Sequence, residues 1–313
     1  MAYSDDSRIL LKIAHLYYEE GATQAEIANV LGVSRPLISK YLAKAREMGL
    51  VEIIIHDELV KPHTDLESRL ERKFQLREVV IVSESGTNAA NRNLGIAASN
   101  YLLRVVKENQ IIGVSSGTTL HEVSSAMSKG HISSLTIIPL VGGVGDERMD
   151  IHANQIAALM ADRLGAEYKL LHAPVVVDSP EAKEIFLRQK LIADIFTVAA
   201  QCDIAVVGIG GSPEHSTMVK SFFGNDYERE LAEAGVVGDI CNIFINSSGR
   251  ACEISWNSRV IAISLDSLKN IPLVIGVAQG SEKVEAIRAA LTGRLVNVLV
   301  TDEVTAEYLL QDE

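Results

Sequence analysis

The chain has 313 residues, 47% of them hydrophobic and 22% charged, with a formal net charge of −12. This length holds one large domain and one small one, and the composition excludes disordered, collagen-like and disulfide-stapled classes. No apolar run approaches the roughly 20 residues of a membrane helix, and Asp5, Asp6 and Arg8 precede any apolar run where a signal peptide would begin. A cytoplasmic protein without membrane contact is expected. Cys202, Cys241 and Cys252 match neither a disulfide framework nor a zinc site, so buried thiols, no metal and no cofactor are expected. The negative total repels nucleic acid at long range. DNA binding therefore requires positive charge gathered locally.

Residues 1–56 supply that concentration. Thr23-Gln-Ala-Glu26 reads as a capping box opening a short helix with Ile27, Val30 and Leu31 inward. Gly32 suits the left-handed residue at its end, Ser34 caps a second helix, and Pro36 fits the first turn of that helix. On the second helix Ile38, Leu42 and Ala45 share one side, while Arg35, Pro36, Ser39, Lys40, Ala43 and Arg46 share the other, with Lys44 at its edge. Four basic residues and no acidic one lie between Ser34 and Arg46. A helix of this character enters a DNA major groove about 12 Å wide. Arg35 is chemically suited to bidentate guanine reading. Ser39 and Lys40 suit bases or phosphates, Lys44 and Arg46 suit phosphates, and Gln24 lies where a helix N-terminus meets phosphate. Two packed helices with a solvated basic face explain parts of this pattern, but not the joint occurrence of box, glycine turn, second cap and charge sign. Val51–Ile55 reads as a wing strand without a visible partner.

Residues 57–76 read as a linker or oligomerisation helix, with Leu66, Leu70 and Phe74 forming a stripe that packs on the large domain or on a second subunit. Helix-turn-helix modules act as symmetric dimers, so a homo-oligomer, dimer or tetramer, is expected.

Residues 77–313 alternate apolar runs with helical segments: Val79–Val82, Ile111–Val114, Leu135–Val141, Val175–Val177, Ile204–Val207, Leu273–Val277 and Val296–Val300. The fold class is α/β, an N-terminal all-α helix-turn-helix domain followed by a doubly wound, mostly parallel sheet. Asp239–Ile245, Asn246-Ser-Ser-Gly249 and Arg250–Ile254 read as a β-hairpin. Ligands in such sheets bind at the carboxyl ends of the strands. There, Ser115, Ser116, Gly117, Thr118 and Thr119 lead from strand to helix with hydroxyls and helix amides suited to an anion. This is neither a Walker A loop nor a GxGxxG fingerprint, and a capped turn explains it equally well by itself. Gly142, Gly143, Gly208, Gly210, Gly211, Gly276 and Gly280 mark further turns at the same rim, with Asp239, Lys283, His152 and Asn154 as nearby polar candidates.

These motifs resemble the SorC family of sugar-binding transcription regulators, grouped with bacterial DeoR-like proteins. The resemblance spans nearly the whole chain. It runs through Leu16-Tyr-Tyr18, Thr23-Gln-Ala-Glu-Ile27, Leu31-Gly-Val-Ser-Arg35 and the Gly113 to Thr119 loop. It continues in Leu140-Val-Gly-Gly143, Val207-Gly-Ile-Gly210, Val237-Gly-Asp239, Lys283-Val-Glu-Ala-Ile287, Val300-Thr-Asp-Glu303 and Thr305-Ala306. It implies an effector domain similar to sugar-phosphate isomerases and glucosamine-phosphate deaminases, tetramers built from dimers, and operator DNA binding modulated by a phosphorylated sugar. It also implies phosphate held by Ser115, Gly117, Thr118 and Thr119, with Asp239 and Lys283 facing the ligand. Position 141 is valine, so no lysine there forms a Schiff base and non-covalent capture is expected.

The rival reading is a sugar-phosphate isomerase or deaminase carrying a DNA-binding domain. Such enzymes need a carboxylate or imidazole at the proton they move. The deaminases' Asp-Gly-His run is replaced here by Gly211-Ser-Pro-Glu-His215, and the isomerases' Asp-Gly-Ala-Asp-Glu run is missing. Binding without turnover is the reading adopted. A dinucleotide-binding redox sensor ranks below both, because the glycine fingerprint and its following acidic residue are lacking.

Overall fold

Helix α1, Ser7–Ala14, turns Leu10, Ile13 and Ala14 inward and continues through a π-helical turn at His15–Glu19. α2, Gln24–Leu31, and α3, Arg35–Glu47, pack on it around Ile27, Ala28, Ile38, Tyr41, Leu42 and Ala45. The structure is a computed structural model describing residues 7–51, 63–83, 87–143, 149–212 and 226–311. Within it the chain divides into Met1–Pro62 and His63–Glu313. The expected wing at Val51–Ile55 lies outside the described residues beyond Val51. Val30 departs from its expected inward place and is 74% exposed. At 3.6 residues per turn it falls about 110° from the centre of the stripe formed by Gln24, Ile27, Ala28 and Leu31, so Ala28 is buried instead.

In the larger unit α4, Thr64–Phe74, precedes β1, Glu78–Val82, and α5, Thr87–Val105, leads to β2, Ile111–Val114. Then follow α6, Thr118–Ala126; β3, Thr136–Pro139; α7, Ala153–Leu164; and β4, Glu167–Tyr168. The pair α8, Pro180–Arg188, and α9, Lys190–Ala199, returns the chain to β5, Ile204–Gly210. α10, Asp226–Glu233, leads into β6, Val236–Ile240, and β7, Ile243–Asn246. Short helices α11, Ser255–Arg259, and α12, Leu265–Lys269, precede β8, Leu273–Val277. α13, Val284–Thr292, then β9, Val298–Asp302, and α14, Glu303–Leu310, complete the described order.

Seven strands form a parallel sheet in the order β1-β9-β8-β5-β2-β3-β4, and β6 and β7 join antiparallel beyond β5. One face packs on α5, α6 and α7 through Leu94, Val123 and Ile156. The other packs on α4, α13 and α14 through Leu70, Ile287 and Leu309. All five residues of β8 are buried, as a strand covered on both faces requires. The chain builds outward through β2, β3 and β4, then returns to place β5 on the opposite side of β2, with Val114 beside Val206. That reversal opens a crevice at the carboxyl ends of β2 and β5.

Two strand readings change. Val175–Val177 forms no strand; Val176 makes one bridge to Val260 and Pro174 one to Gly143. The hairpin also turns earlier than its glycine suggested. Cys241 and Asn242, at φ 52° and 60°, make a tight two-residue turn between β6 and β7, the backbone of a type I′ turn. Asn246 to Gly249 forms a second turn, after which Ala251 makes a single bridge to Ile245. Cys-Asn lacks the Asn-Gly signature, so apolar alternation ran straight through it.

α4 resolves the choice left open for its apolar stripe, since Leu66, Leu70 and Phe74 pack on the sheet. Its polar side closes the edge strand. The Val79 N–H donates to Glu71 at 2.9 Å and the Ile81 N–H to Glu67 at 3.0 Å. Carboxylates thereby satisfy backbone donors that an outermost strand leaves unpaired.

Candidate functional site

The α2–α3 pair carries the first set of functional residues. Thr23 accepts from the Glu26 N–H at 3.3 Å, while the Glu26 carboxylate accepts from the Thr23 N–H at 2.8 Å. Both halves of the capping box are formed, and the Thr23 N–H and hydroxyl, both donating to the Glu26 carboxylate, hold that carboxyl below its ordinary value. Gly32 adopts φ 63° at the end of α2, a conformation that costs glycine little. Ser34 occupies the N-cap position of α3, yet its side chain makes no capping bond. The helix opening here rests on backbone geometry and on Pro36 in the first turn. Ser34, Arg35, Pro36, Ser39, Lys40 and Arg46 are exposed on one face of α3, whereas Lys44 and Gln24 are half-buried. The hydroxyl of Ser34 is thus left for a partner outside the helix.

The second set surrounds the crevice between β2 and β5. Ser115 is fastened across it: its N–H donates to the Val206 carbonyl and its hydroxyl accepts from the Gly208 N–H, both at 3.1 Å. Only 2% exposed, Ser115 braces the crevice floor. Gly117, at φ 124°, turns the chain into α6. The first intrahelical bond runs from the His121 N–H to the Gly117 carbonyl. The amides of Thr118, Thr119 and Leu120 therefore open the helix without intrahelical acceptors. Ser116 and Thr119 are half-buried beside them and Thr118 is exposed. Hydroxyls and amides at a helix N-terminus suit an oxyanion.

The opposite wall comes from residues more than 90 positions later. Gly210 pairs with Asp239, and a Cβ on Gly210 would collide with the Asp239 carboxylate. At Gly211 a Cβ would stand 3.2 Å from the Lys283 side chain. These glycines are small because the two charged side chains come in over them. Burial pushes the Asp239 carboxyl up to about 6, against the opposing pull of Lys283 and of the Asn242 N–H. At neutral pH the crevice consequently holds a poorly hydrated acceptor, ready for hydroxyl donors. Asn242 completes this wall. Only 9% exposed, it extends Nδ2 to 3.5 Å from the Ser116 Oγ and gives its carbonyl to the buried Trp256 Nε1 at 2.8 Å. Sequence reasoning missed it; the available signal was an asparagine, tolerant of left-handed backbone, two residues past a strand.

The structure thus brings together Ser116, Gly117, Thr118, Thr119, Asp239 and Lys283. Other candidates are occupied otherwise. The Gly142 and Gly143 N–H groups donate to the Ile261 and Ala173 carbonyls at 2.9 and 2.8 Å, and a Cβ on Gly142 would strike the Pro174 backbone. Gly142 thus answers a packing need. Asn154 spends its amide on the Leu171 backbone, donating at 3.1 Å and accepting at 2.9 Å. Gly208 gives its N–H to Ser115 and its missing Cβ leaves room for Leu120 at 3.2 Å. His152, 8% exposed, occupies the N-cap position of α7, one residue from the Ile151 carbonyl that accepts from the Gly117 N–H. Glu214 and His215, in the run that replaces the deaminases' Asp-Gly-His, lie outside the described residues.

A helix-turn-helix with a basic outward face, joined to a doubly wound domain with a polar crevice at its reversal point, is the architecture of a transcription regulator with a separate ligand domain. Residues 59–311 match the family described as "Putative sugar-binding domain", and residues 13–52 match winged helix-turn-helix DNA-binding domains. The chain is 31% identical to the deoxyribonucleoside regulator of Bacillus subtilis, over 98% of this chain and 99% of that one. It is 32% identical to the sorbitol operon regulator of Klebsiella pneumoniae, over 99% of this chain and all of that one. The crystal structure of full-length SorC from Klebsiella pneumoniae superposes with a TM-score of 0.78 at 32% identity, covering 98% of this chain and 100% of that one. The chain belongs to the SorC family of sugar-binding transcription regulators. Its relatives are named as regulators and not as enzymes, and the enzyme reading falls with that finding.

Proposed function

We propose that this protein regulates a carbohydrate-utilisation operon in the cytoplasm, and that a phosphorylated sugar modulates its hold on operator DNA. Residues 1–56 serve as the DNA-binding domain, and residues 77–313 with α4 of the 57–76 segment as the effector domain, within a homo-oligomer, dimer or tetramer. Arg35 reads a base; Ser34, Pro36, Ser39 and Lys40 line the groove; Gln24, Lys44 and Arg46 hold phosphates. In the effector domain the α6 amides with Ser116, Gly117, Thr118 and Thr119 take the phosphate. Asp239 accepts from sugar hydroxyls, and Lys283 adds positive charge.

The observation that carries this reading is the meeting, at the β2–β5 reversal, of a helix N-terminus with a buried carboxylate and a lysine. An anion site beside a hydroxyl acceptor is the complement of a sugar phosphate. Binding shifts the population of effector-domain arrangements, and with it the fit of paired recognition helices to their half-sites.

Thermal-shift assays with sugar phosphates and the matching free sugars test it. A phosphorylated ligand should raise the melting temperature where its free sugar does not, and should change binding to promoter fragments in dilute buffer. Thr118→Ala and Lys283→Ala should each weaken that ligand at least tenfold, and an unchanged response in both removes the pocket assignment.

A further inference from the structure

Asn242 is a buried polar side chain at the crevice that the proposed reading does not use. Its backbone is held from two sides, with the N–H on the Asp239 carboxylate and the carbonyl on the Trp256 indole at 2.8 Å. Its φ of 60° lies in the left-handed region, which asparagine and glycine both tolerate. The side chain there is an amide, 9% exposed, with Nδ2 at 3.5 Å from the Ser116 Oγ across the crevice. That separation is at the outer limit of a hydrogen bond. The amide is therefore positioned by its backbone rather than consumed by Ser116.

We propose that Asn242 is a specificity-determining contact, its amide donating to a ligand hydroxyl that in turn donates to Asp239. A hydroxyl both donates and accepts, whereas a carboxylate only accepts and an amide N–H only donates. The Asp239–Asn242 pair thus fits a hydroxyl-bearing carbon and penalises deoxy and carbonyl groups at the same place. Because Asn242 borders Ser116 at the anion end, the hydroxyl it reads lies on the phosphate side of the sugar. The ligand class this selects is a sugar phosphate hydroxylated close to its phosphate ester. The proposal rests on the phosphorylated-sugar reading above.

The test is Asn242→Gly in the full-length protein, a change that keeps the left-handed turn and removes only the side chain. Asn242→Asp is the second variant, replacing the donor with an acceptor beside Asp239. Calorimetric titrations use inorganic phosphate, ribose 5-phosphate, 2-deoxyribose 5-phosphate, glucose 6-phosphate and fructose 6-phosphate. The expected result is a loss of at least tenfold for the best sugar phosphate in both variants, with inorganic phosphate binding and melting temperature unchanged in Asn242→Gly. Equal losses for sugar phosphate and inorganic phosphate overturn the proposal, since Asn242 would then only support the anion loop. Wild-type affinity for sugar phosphates in Asn242→Gly overturns it while leaving the pocket reading intact. A wild-type protein that binds none of the sugar phosphates overturns both.

Discussion

The two units of this molecule put chemistry on the surface by opposite routes. In residues 7–51 most of the side chains proposed to face DNA sit on one 13-residue helix, α3, and local signals mark it: a capping box, a left-handed glycine and a proline in the first turn. In residues 63–311 the crevice is assembled from Ser116, Gly210, Asp239, Asn242 and Lys283, which meet because the sheet reverses between β2 and β5. A site built on a single element survives small changes elsewhere in the fold. One built from four chain segments depends on every register between them.

The sharpest way to break the comparison is at the recognition helix. Arg35→Ala combined with Lys40→Ala should weaken operator binding at least a hundredfold in fluorescence anisotropy, given about 1–3 kcal/mol for a bidentate base contact and a further loss for the second groove contact. The ligand-induced thermal shift should be untouched. A matching loss of ligand response would mean that the two units do not work as separable parts.

The next effect belongs to the crevice and has the opposite sign for stability. Burial raises the Asp239 carboxyl from 3.8 to about 6, so the folded protein binds this proton more tightly than the unfolded chain does. The stability contributed by that proton is complete below the unfolded value near 4 and is lost as pH rises through about 6. At pH 8 the ionised group costs on the order of 1–3 kcal/mol. Asp239→Asn should therefore raise the melting temperature of the unliganded protein at pH 8 more than at pH 5, while abolishing sugar-phosphate binding. An equal shift at both pH values would show that the carboxyl is ionised without penalty.

Smaller effects sharpen the account of the recognition helix. Thr23→Ala removes a formed capping box and should cost about 1 kcal/mol in denaturant unfolding of the small unit. Ser34→Ala, by contrast, should leave stability within a few tenths of that baseline, because the Ser34 side chain makes no capping bond. It should still weaken DNA binding in fluorescence anisotropy, because Ser34 lines the groove.

The same contrast explains what the amino-acid sequence disclosed. Thr23, Glu26, Gly32 and Pro36 act within one or two turns of their own positions, so residue type and spacing identified the helix pair directly. The strands were equally legible where both faces are covered, as in Leu273–Val277. Errors arose where tertiary packing decides. Val30 lies on the flank of a short helix; Gly142 is small to admit the Pro174 backbone; Asn154 is spent on Leu171. For Gly142 and Asn154 the partner is distant in the chain, and spacing carries no trace of it; Val30 follows instead from the 3.6-residue turn, which sets it off the buried stripe. Asn242 was passed over because Cys-Asn resembles a continuing strand, although its left-handed backbone is what aims the side chain into the crevice.

The carboxylates of Glu67 and Glu71 have a practical consequence for dissecting the molecule. They occupy the Val79 and Ile81 amides of the outermost strand, and α4 also covers the apolar side of that margin. A fragment begun at Arg77 would uncover a strand ready to pair with another copy of itself, and would accumulate as aggregate or as artificial assemblies. A fragment begun at His63 keeps its margin sealed. The first helix of the sensing unit is thus part of its boundary against self-association, and the place to cut is before it.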